Sequence, residues 1–200
     1  MSKKNHIFFN FFLFFFIFLI IFLNTGIHSD EYYIIEYFKL KKNFKDFIFF
    51  ENNSTIVGQS LSGIPNYYFI WIFYWLISDN YLFLYDLLKL FINFISFYLI
   101  YKFLNDYVSN EQSLLGSLLF ILSPIHDSTL FWFLGSVYVL IPALVLYGLH
   151  LININKKILG YLFLVFSAFF SNLSLPFLIS FSLIYLMKKE YFNFFIIFII

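Results

Sequence analysis

The sequence predicts an all-α protein, a polytopic transmembrane helical bundle with short or broken spans and an extracytoplasmic loop after the first span. Three observations lead there. Of the 200 residues, 62% are hydrophobic and 12% charged, whereas a soluble domain carries roughly 25% charged residues. The apolar residues are gathered into runs, and a helical crossing of the hydrocarbon needs about 20 of them. Seven of the twelve lysines fall at alternate ends of those runs. The formal net charge of +1 argues against a nucleic-acid partner. The absence of Cys rules out a disulfide framework or a thiolate metal site. The 34 Phe and 16 Tyr, with Lys in place of any Arg, follow a bias toward AT-rich codons, so the choice of cation is not read as functional.

Residues 1–200 read as a single transmembrane domain. Residues 7–23 are the first apolar run, preceded by Lys3 and Lys4. No small-x-small cleavage site follows it, only Asn24-Thr25-Gly26, which predicts an uncleaved anchor. Residues 24–80 form the loop. Within it, residues 32–40 read as an amphipathic helix with Tyr33, Tyr37 and Leu40 on one face, and residues 58–65 as a loop. Residues 67–78 carry Trp71, Tyr74 and Trp75 and suit a helix lying at the interface. The further spans are residues 81–104, 113–124, 135–152, 158–170 and 175–187. A seventh run opens at Tyr191 and is still apolar at Ile200, so the chain is expected to be the N-terminal part of a longer one.

Lysine placement orients these spans. Lys3 and Lys4 put the N-terminus inside by the positive-inside rule. Alternating the crossings then leaves Lys102, Lys156, Lys157, Lys188 and Lys189 inside as well, and residues 24–80 outside. Residues 158–170 and 175–187 are expected to form a hairpin with its tip at residues 171–174. Residues 113–124 amount to roughly 18 Å of helix at about 1.5 Å per residue, short of a core about 30 Å thick. The segment Ile125-His126-Asp127-Ser128-Thr129 is therefore expected to dip into the membrane, against protein or a cavity.

Three polar groupings are candidates for function. Asp30 and Glu31 open the outer loop. Ser29 can cap the helix they begin and acids in a first turn suit its dipole, but two adjacent carboxylates beside a cavity also suit general-base or divalent-metal chemistry. His126 and Asp127 lie in the dipping segment. Asp86, Lys89, Asn93 and Ser96 recur at helical spacing on one face of the span 81–104. Charge in a span normally faces the bundle interior. That face reads either as an ion pair with interhelical hydrogen bonds, or as Lys89 meeting an anionic ligand near the outer surface.

The stretch from Ser123 to Gly135 resembles a segment of the GT-C glycosyltransferases, nearest to the tetratricopeptide-associated O-mannosyltransferases and their bacterial relatives. Pro124, His126, Trp132 and Gly135 match a Pro-x-His element followed by Trp and Gly at set distances. The upstream order is similar: first span, outer loop opening with acids, interfacial aromatic segment, then a second span. Ser171-Asn172 and Pro176 resemble a later element. Ser128 and Ser136 depart from the pattern, which usually has an acid and an arginine there. The resemblance implies transfer of a hexose or pentose from a polyprenyl-phosphate-linked donor on the periplasmic or lumenal face. It implies a bacterial inner membrane in preference to the endoplasmic reticulum. It assigns Asp30 or Glu31 as the base that deprotonates the acceptor, and His126 to the donor phosphate. Asp127 and Lys89 are read as further substrate-binding groups. A multi-pass transporter or a non-catalytic membrane protein is the alternative. No phosphate-binding glycine loop and no tightly spaced metal-ligand cluster occurs in the sequence.

Overall fold

In a computed structural model the described residues are 3–23, 25–27, 32, 36, 69, 72–74, 76–77, 81–123, 133–170 and 172–200. Among them the protein is all-α, with no strand. The main helices are α1 (Lys3–Phe22), α2 (Leu82–Leu104), α3 (Asn110–Ile121), α4 (Phe133–Asn153), α5 (Lys157–Phe170), α6 (Leu175–Met187) and α7 (Tyr191–Ile199). A 3₁₀ turn, Asn172–Ser174, joins α5 to α6. Tyr32 and Glu36 are helical and exposed, one turn apart.

Each helix forms where a long run of helix-compatible apolar residues is bounded by a polar break. The clearest start is at α3. The Ser109 side chain accepts from the Gln112 N–H at 3.4 Å, and the Gln112 side chain accepts from the Ser109 N–H at 3.2 Å. This capping box satisfies two backbone donors that a helix start leaves open. At 12 residues, α3 is as short as its apolar run suggested.

α2 is the centre of the bundle. It packs on α1, α3 and, most extensively, α4. The α1–α2 seam is aromatic: Phe11 meets Tyr101 at 4.9 Å between ring centroids, Phe14 meets Phe97 at 5.4 Å and Phe15 meets Phe94 at 5.3 Å. Offset and edge-on rings of this kind add about 0.5–1.5 kcal/mol per pair beyond area burial. α4 then packs on α5. Here Gly148 and Gly160 oppose each other so closely that a Cβ on Gly160 would lie 2.7 Å from the Gly148 carbonyl oxygen. Small residues let helix backbones approach in this way.

The expected turn between residues 158–170 and 175–187 is present at Asn172–Ser174, but the two helices are not packed closely on each other. α5 and α6 are consecutive, but among the described residues their backbones share little contact. α6 lies along α7 instead, and α5 lies along α4. The 3₁₀ turn touches α4, α5 and α6, and the chain reverses there, so that Lys157 at the start of α5 and Lys188 after α6 fall at the same end of the bundle.

Among the described residues one helix, Leu82–Leu104, is long and apolar enough to cross a membrane, and shorter apolar helical stretches are Asn10–Phe22, Tyr138–Asn153, Lys157–Phe170 and Leu175–Met187. The core is mostly apolar, but polar side chains are buried within it and large apolar ones lie on the surface. Asp86, Lys89, Asn93, Ser96, Ser113, Ser117, Ser136, Ser167, Ser182 and Asn193 are buried. Phe12 and Phe16 of α1, Phe91 and Ile95 of α2, Leu115 and Leu119 of α3, Leu162 and Phe166 of α5, and Ile179 and Leu183 of α6 are exposed.

The polar groups gather at two ends. Thr25, Asp86, Lys89 and the start of α4 lie at one, called here the Asp86 end. Asp106, His150, Asn153 and Tyr185 lie at the other, the lysine end, where Lys102, Lys156 and Lys188 also fall on the helix ends.

Candidate functional site

At the Asp86 end, α1 stops at Phe22 and the chain turns at Gly26, whose φ is +61°. Glycine enters this left-handed region without the steric cost that a Cβ brings. Two charged side chains of α2 grip the turn. Asp86 Oδ1 accepts from the Gly26 N–H at 2.7 Å and from Thr25 Oγ1 at 2.8 Å. Lys89 Nζ donates to Thr25 Oγ1 at 2.6 Å and to the Gly26 carbonyl. The two charges are paired directly, Nζ to Oδ1, at 3.0 Å.

Asp86 is 4% exposed and Lys89 0%. A lone charge at that depth is strongly disfavoured, whereas a paired and hydrogen-bonded one persists. Here each charge meets the other and also the backbone left unsatisfied where α1 ends. Further down the same face, Asn93 Nδ2 donates to the Lys89 carbonyl at 3.0 Å and Ser96 Oγ to the Ile92 carbonyl at 2.8 Å. All four residues of the predicted polar face are buried, as the price of charge and amide in an apolar surrounding requires. Asn93 Oδ1 is the exception in satisfaction: it is buried with no hydrogen-bond partner.

Beside this node stands an aromatic wall. Tyr85, adjacent to Asp86 in α2, is fully buried and donates to the Ile77 carbonyl. Its ring lies 5.5 Å from Tyr74 and 5.8 Å from Phe133, and Tyr74 lies 5.4 Å from Phe133. Phe133 is the first residue of α4. Consecutive residues of α2 therefore touch two parts of the chain. Asp86 holds the exit of α1, and Tyr85 holds the entrance of α4.

Of the residues singled out in the sequence, Lys89 is placed as above. Asp30, Glu31, His126 and Asp127 lie outside the described residues, as do Pro124, Ser128 and Trp132. Their flanks are described: Gly26 and Ile27 precede the first pair, Ser123 and Phe133 bracket the second. Ile27 and Phe133 are buried. Ser136, where the resembling family usually carries an arginine, is buried and donates to the Phe133 carbonyl at 2.8 Å. Among the described residues no group of three or more His, Asp or Glu could hold a metal ion.

The comparisons with known proteins are silent. No family model matches the chain, and no curated protein or solved structure matches it.

Sequence reasoning passed over Thr25, Gly26 and Tyr85. The available signal was a Thr-Gly pair directly after an apolar run, with an acid near the start of the next. It also passed over a second polar network at the lysine end. His150 Nδ1 lies 2.9 Å from both Asp106 carboxylate oxygens. Asn153 Nδ2 donates to Asp106 Oδ2 at 3.3 Å and to the Tyr107 hydroxyl at 2.9 Å. His150 and Asn153 stand one turn apart, a spacing that puts them on one face of α4.

Proposed function

We propose that the protein is a multi-pass membrane glycosyltransferase of GT-C type. It takes a sugar from a polyprenyl-phosphate-linked donor on the outer face of the membrane, with Asp30 or Glu31 as the general base. The observation that carries this reading is the pair Tyr85–Asp86. These neighbours in α2 hold the exit of α1 through Thr25 and Gly26 and the entrance of α4 through Phe133. Gly26 and Ile27, which precede Asp30 and Glu31 in the sequence, and Phe133, which follows His126 and Asp127, therefore lie at one end of the bundle.

A membrane setting is supported by the many large apolar side chains on the surface, by the buried Asp86, Lys89 and Asn93, and by the length and apolarity of α2. Hydrocarbon, unlike water, favours that arrangement. The lysine end is the cytoplasmic one by the positive-inside rule, which puts the Asp86 end outside. A lipid-linked donor carries its phosphate at the membrane surface and its chain in the bilayer. An enzyme for it needs acid and phosphate-binding groups together at one face. Among the described residues Lys89 is the cation at the Asp86 end, and it serves to anchor the turn before Asp30.

In the proposed reaction the carboxylate takes the proton of the acceptor hydroxyl. The acceptor oxygen forms a bond to the anomeric carbon as the bond from that carbon to the phosphate oxygen breaks. Polyprenyl phosphate leaves with the bonding pair. General-base catalysis of this kind contributes roughly 100- to 10,000-fold.

The test uses the full-length protein with a lipid-linked sugar donor, and assays Asp30→Asn and Glu31→Gln separately. One of them should lower turnover at least about 100-fold with donor binding little changed. His126→Ala should instead weaken donor binding. Turnover intact in both acid variants would remove the catalytic assignment and leave Asp30 and Glu31 as helix-capping residues. Absence of donor binding in the wild type would favour the transporter or non-catalytic alternative.

A further inference from the structure

At the lysine end a cleft of about 400 Å³ opens between α2, α4 and α6. That is within the roughly 300–1,000 Å³ of small-molecule sites. Phe103, Leu149, Phe181 and Ile184 make its walls apolar, and Tyr107, Tyr185 and Lys188 supply its polar atoms. The tyrosines are held by the network already described. Tyr185 donates to Asn153 Oδ1 at 3.4 Å, and Tyr107 accepts from Asn153 Nδ2 at 2.9 Å, which leaves the Tyr107 hydroxyl proton available to donate.

Lys188 stands with its ammonium 5.8 Å from the centre of the Tyr185 ring. The acids nearby are committed elsewhere. Asp106 meets His150 and Asn153, and Glu190 accepts from the Asn193 side chain. A cation and a hydroxyl donor beside an apolar cleft match a ligand with an anionic head and an apolar tail. Lysines at the cytoplasmic end of a helix bundle attract anionic lipid, at about 1 kcal/mol per residue near the surface.

We propose that this cleft holds an acyl chain of an anionic phospholipid of the inner leaflet, with the headgroup phosphate on Lys188 and the Tyr107 hydroxyl. The site rests on the membrane orientation proposed above and is independent of the glycosyl-transfer reading. It lies at the opposite end of the bundle from Asp86, so its occupant stabilises the packing of α6 on α2 and α4 without entering the candidate catalytic region.

The experiment uses the full chain, stripped of lipid in mild detergent. It is then given phosphatidylglycerol or phosphatidylcholine of equal chain length, and retained lipid is counted by native mass spectrometry. One phosphatidylglycerol per chain should be retained in preference to phosphatidylcholine. Lys188→Gln should weaken retention roughly fivefold, the factor equivalent to about 1 kcal/mol. Ile184→Trp, which fills the cleft, should abolish it, and Lys189→Gln should leave it unchanged. Inorganic phosphate should not compete. Equal retention of both lipids, or retention unaffected by Lys188→Gln and Ile184→Trp, overturns the proposal. So does displacement by inorganic phosphate, or failure to retain either lipid because another segment covers the cleft. Protein that is not recovered with membranes would instead defeat the membrane reading itself.

Discussion

Asp86 accepts a hydrogen bond from Thr25 at 2.8 Å across sixty-one residues of sequence, and this contact fixes where the chain leaves α1. The carboxylate is buried, and its other contacts are the Gly26 N–H and Lys89. Removing one member strands the other. Asp86→Leu is expected to destabilise the protein by about 3–5 kcal/mol, because a buried ammonium is left without its counter-ion. Asp86→Leu combined with Lys89→Met should recover most of that loss. Thermal unfolding of the four proteins in one detergent gives the coupling. Singles and double lowering stability equally would show that the pair acts through something other than mutual neutralisation.

Asn93 carries a buried carbonyl oxygen with no partner. A buried unsatisfied acceptor costs about 1–3 kcal/mol. Asn93→Leu, of similar size, should therefore leave stability unchanged or raise it by about 1 kcal/mol. If Asn93 belongs to the working site, activity with a lipid-linked donor should fall in the same variant. A marked loss of stability would mean that the oxygen has a partner in the assembled protein.

The three helical glycines for which a Cβ meets a neighbour should not respond alike. At Gly160 a Cβ would lie 2.7 Å from the Gly148 carbonyl oxygen and 2.7 Å from Ile152 Cγ1. Backbone cannot give way cheaply, so Gly160→Ala should cost about 1–3 kcal/mol through overpacking. At Gly116 the neighbour is Leu104 Cδ1 at 3.1 Å, the end of a flexible side chain. Gly116→Ala should be neutral or mildly stabilising, since alanine is favoured in helices by about 1 kcal/mol. Paired melting curves decide between steric and propensity effects.

Asn153 joins three helical elements through Asp106, Tyr107 and Tyr185. Asn153→Ala should lower stability by about 1–3 kcal/mol, in the range for hydrogen bonds that include a charged acceptor. Hydrogen exchange should locate the loss at the lysine end, with the residues around Thr25 unaffected. Uniform loosening would mean that the two ends are not separate.

Orientation is testable because the chain lacks Cys. Lys45→Cys should react with an impermeant maleimide added outside intact cells, and Lys156→Cys only after permeabilisation. The reverse pattern would invert the bundle and move the Asp86 end to the cytoplasm.

Among the described residues the positions of α1 to α7 were legible without coordinates. The run at residues 175–187 is α6, and the run from Tyr191 is α7. The run at residues 113–124 is α3, shifted to Asn110–Ile121 because the Ser109 cap draws polar residues into the first turn. The polar face of α2 was also legible, because Asp86, Lys89, Asn93 and Ser96 repeat with the helical period and charge cannot face hydrocarbon.

Periodicity names a face and leaves its partner open. Only the tertiary structure decided that Lys89 and Asp86 meet Thr25 and Gly26, and that Tyr85 meets Phe133. Only it decided that α6 lies on α7 rather than on α5, that Gly148 crosses Gly160, and that His150 meets Asp106. The physical reason is common to all of these. Helix formation and burial are governed by residues within a few turns, whereas each of these contacts depends on which surfaces fill one another across tens of residues. In a chain whose apolar runs are nearly all Phe, Ile and Leu, many pairings bury comparable area. The choice among them falls to a few polar side chains and glycines.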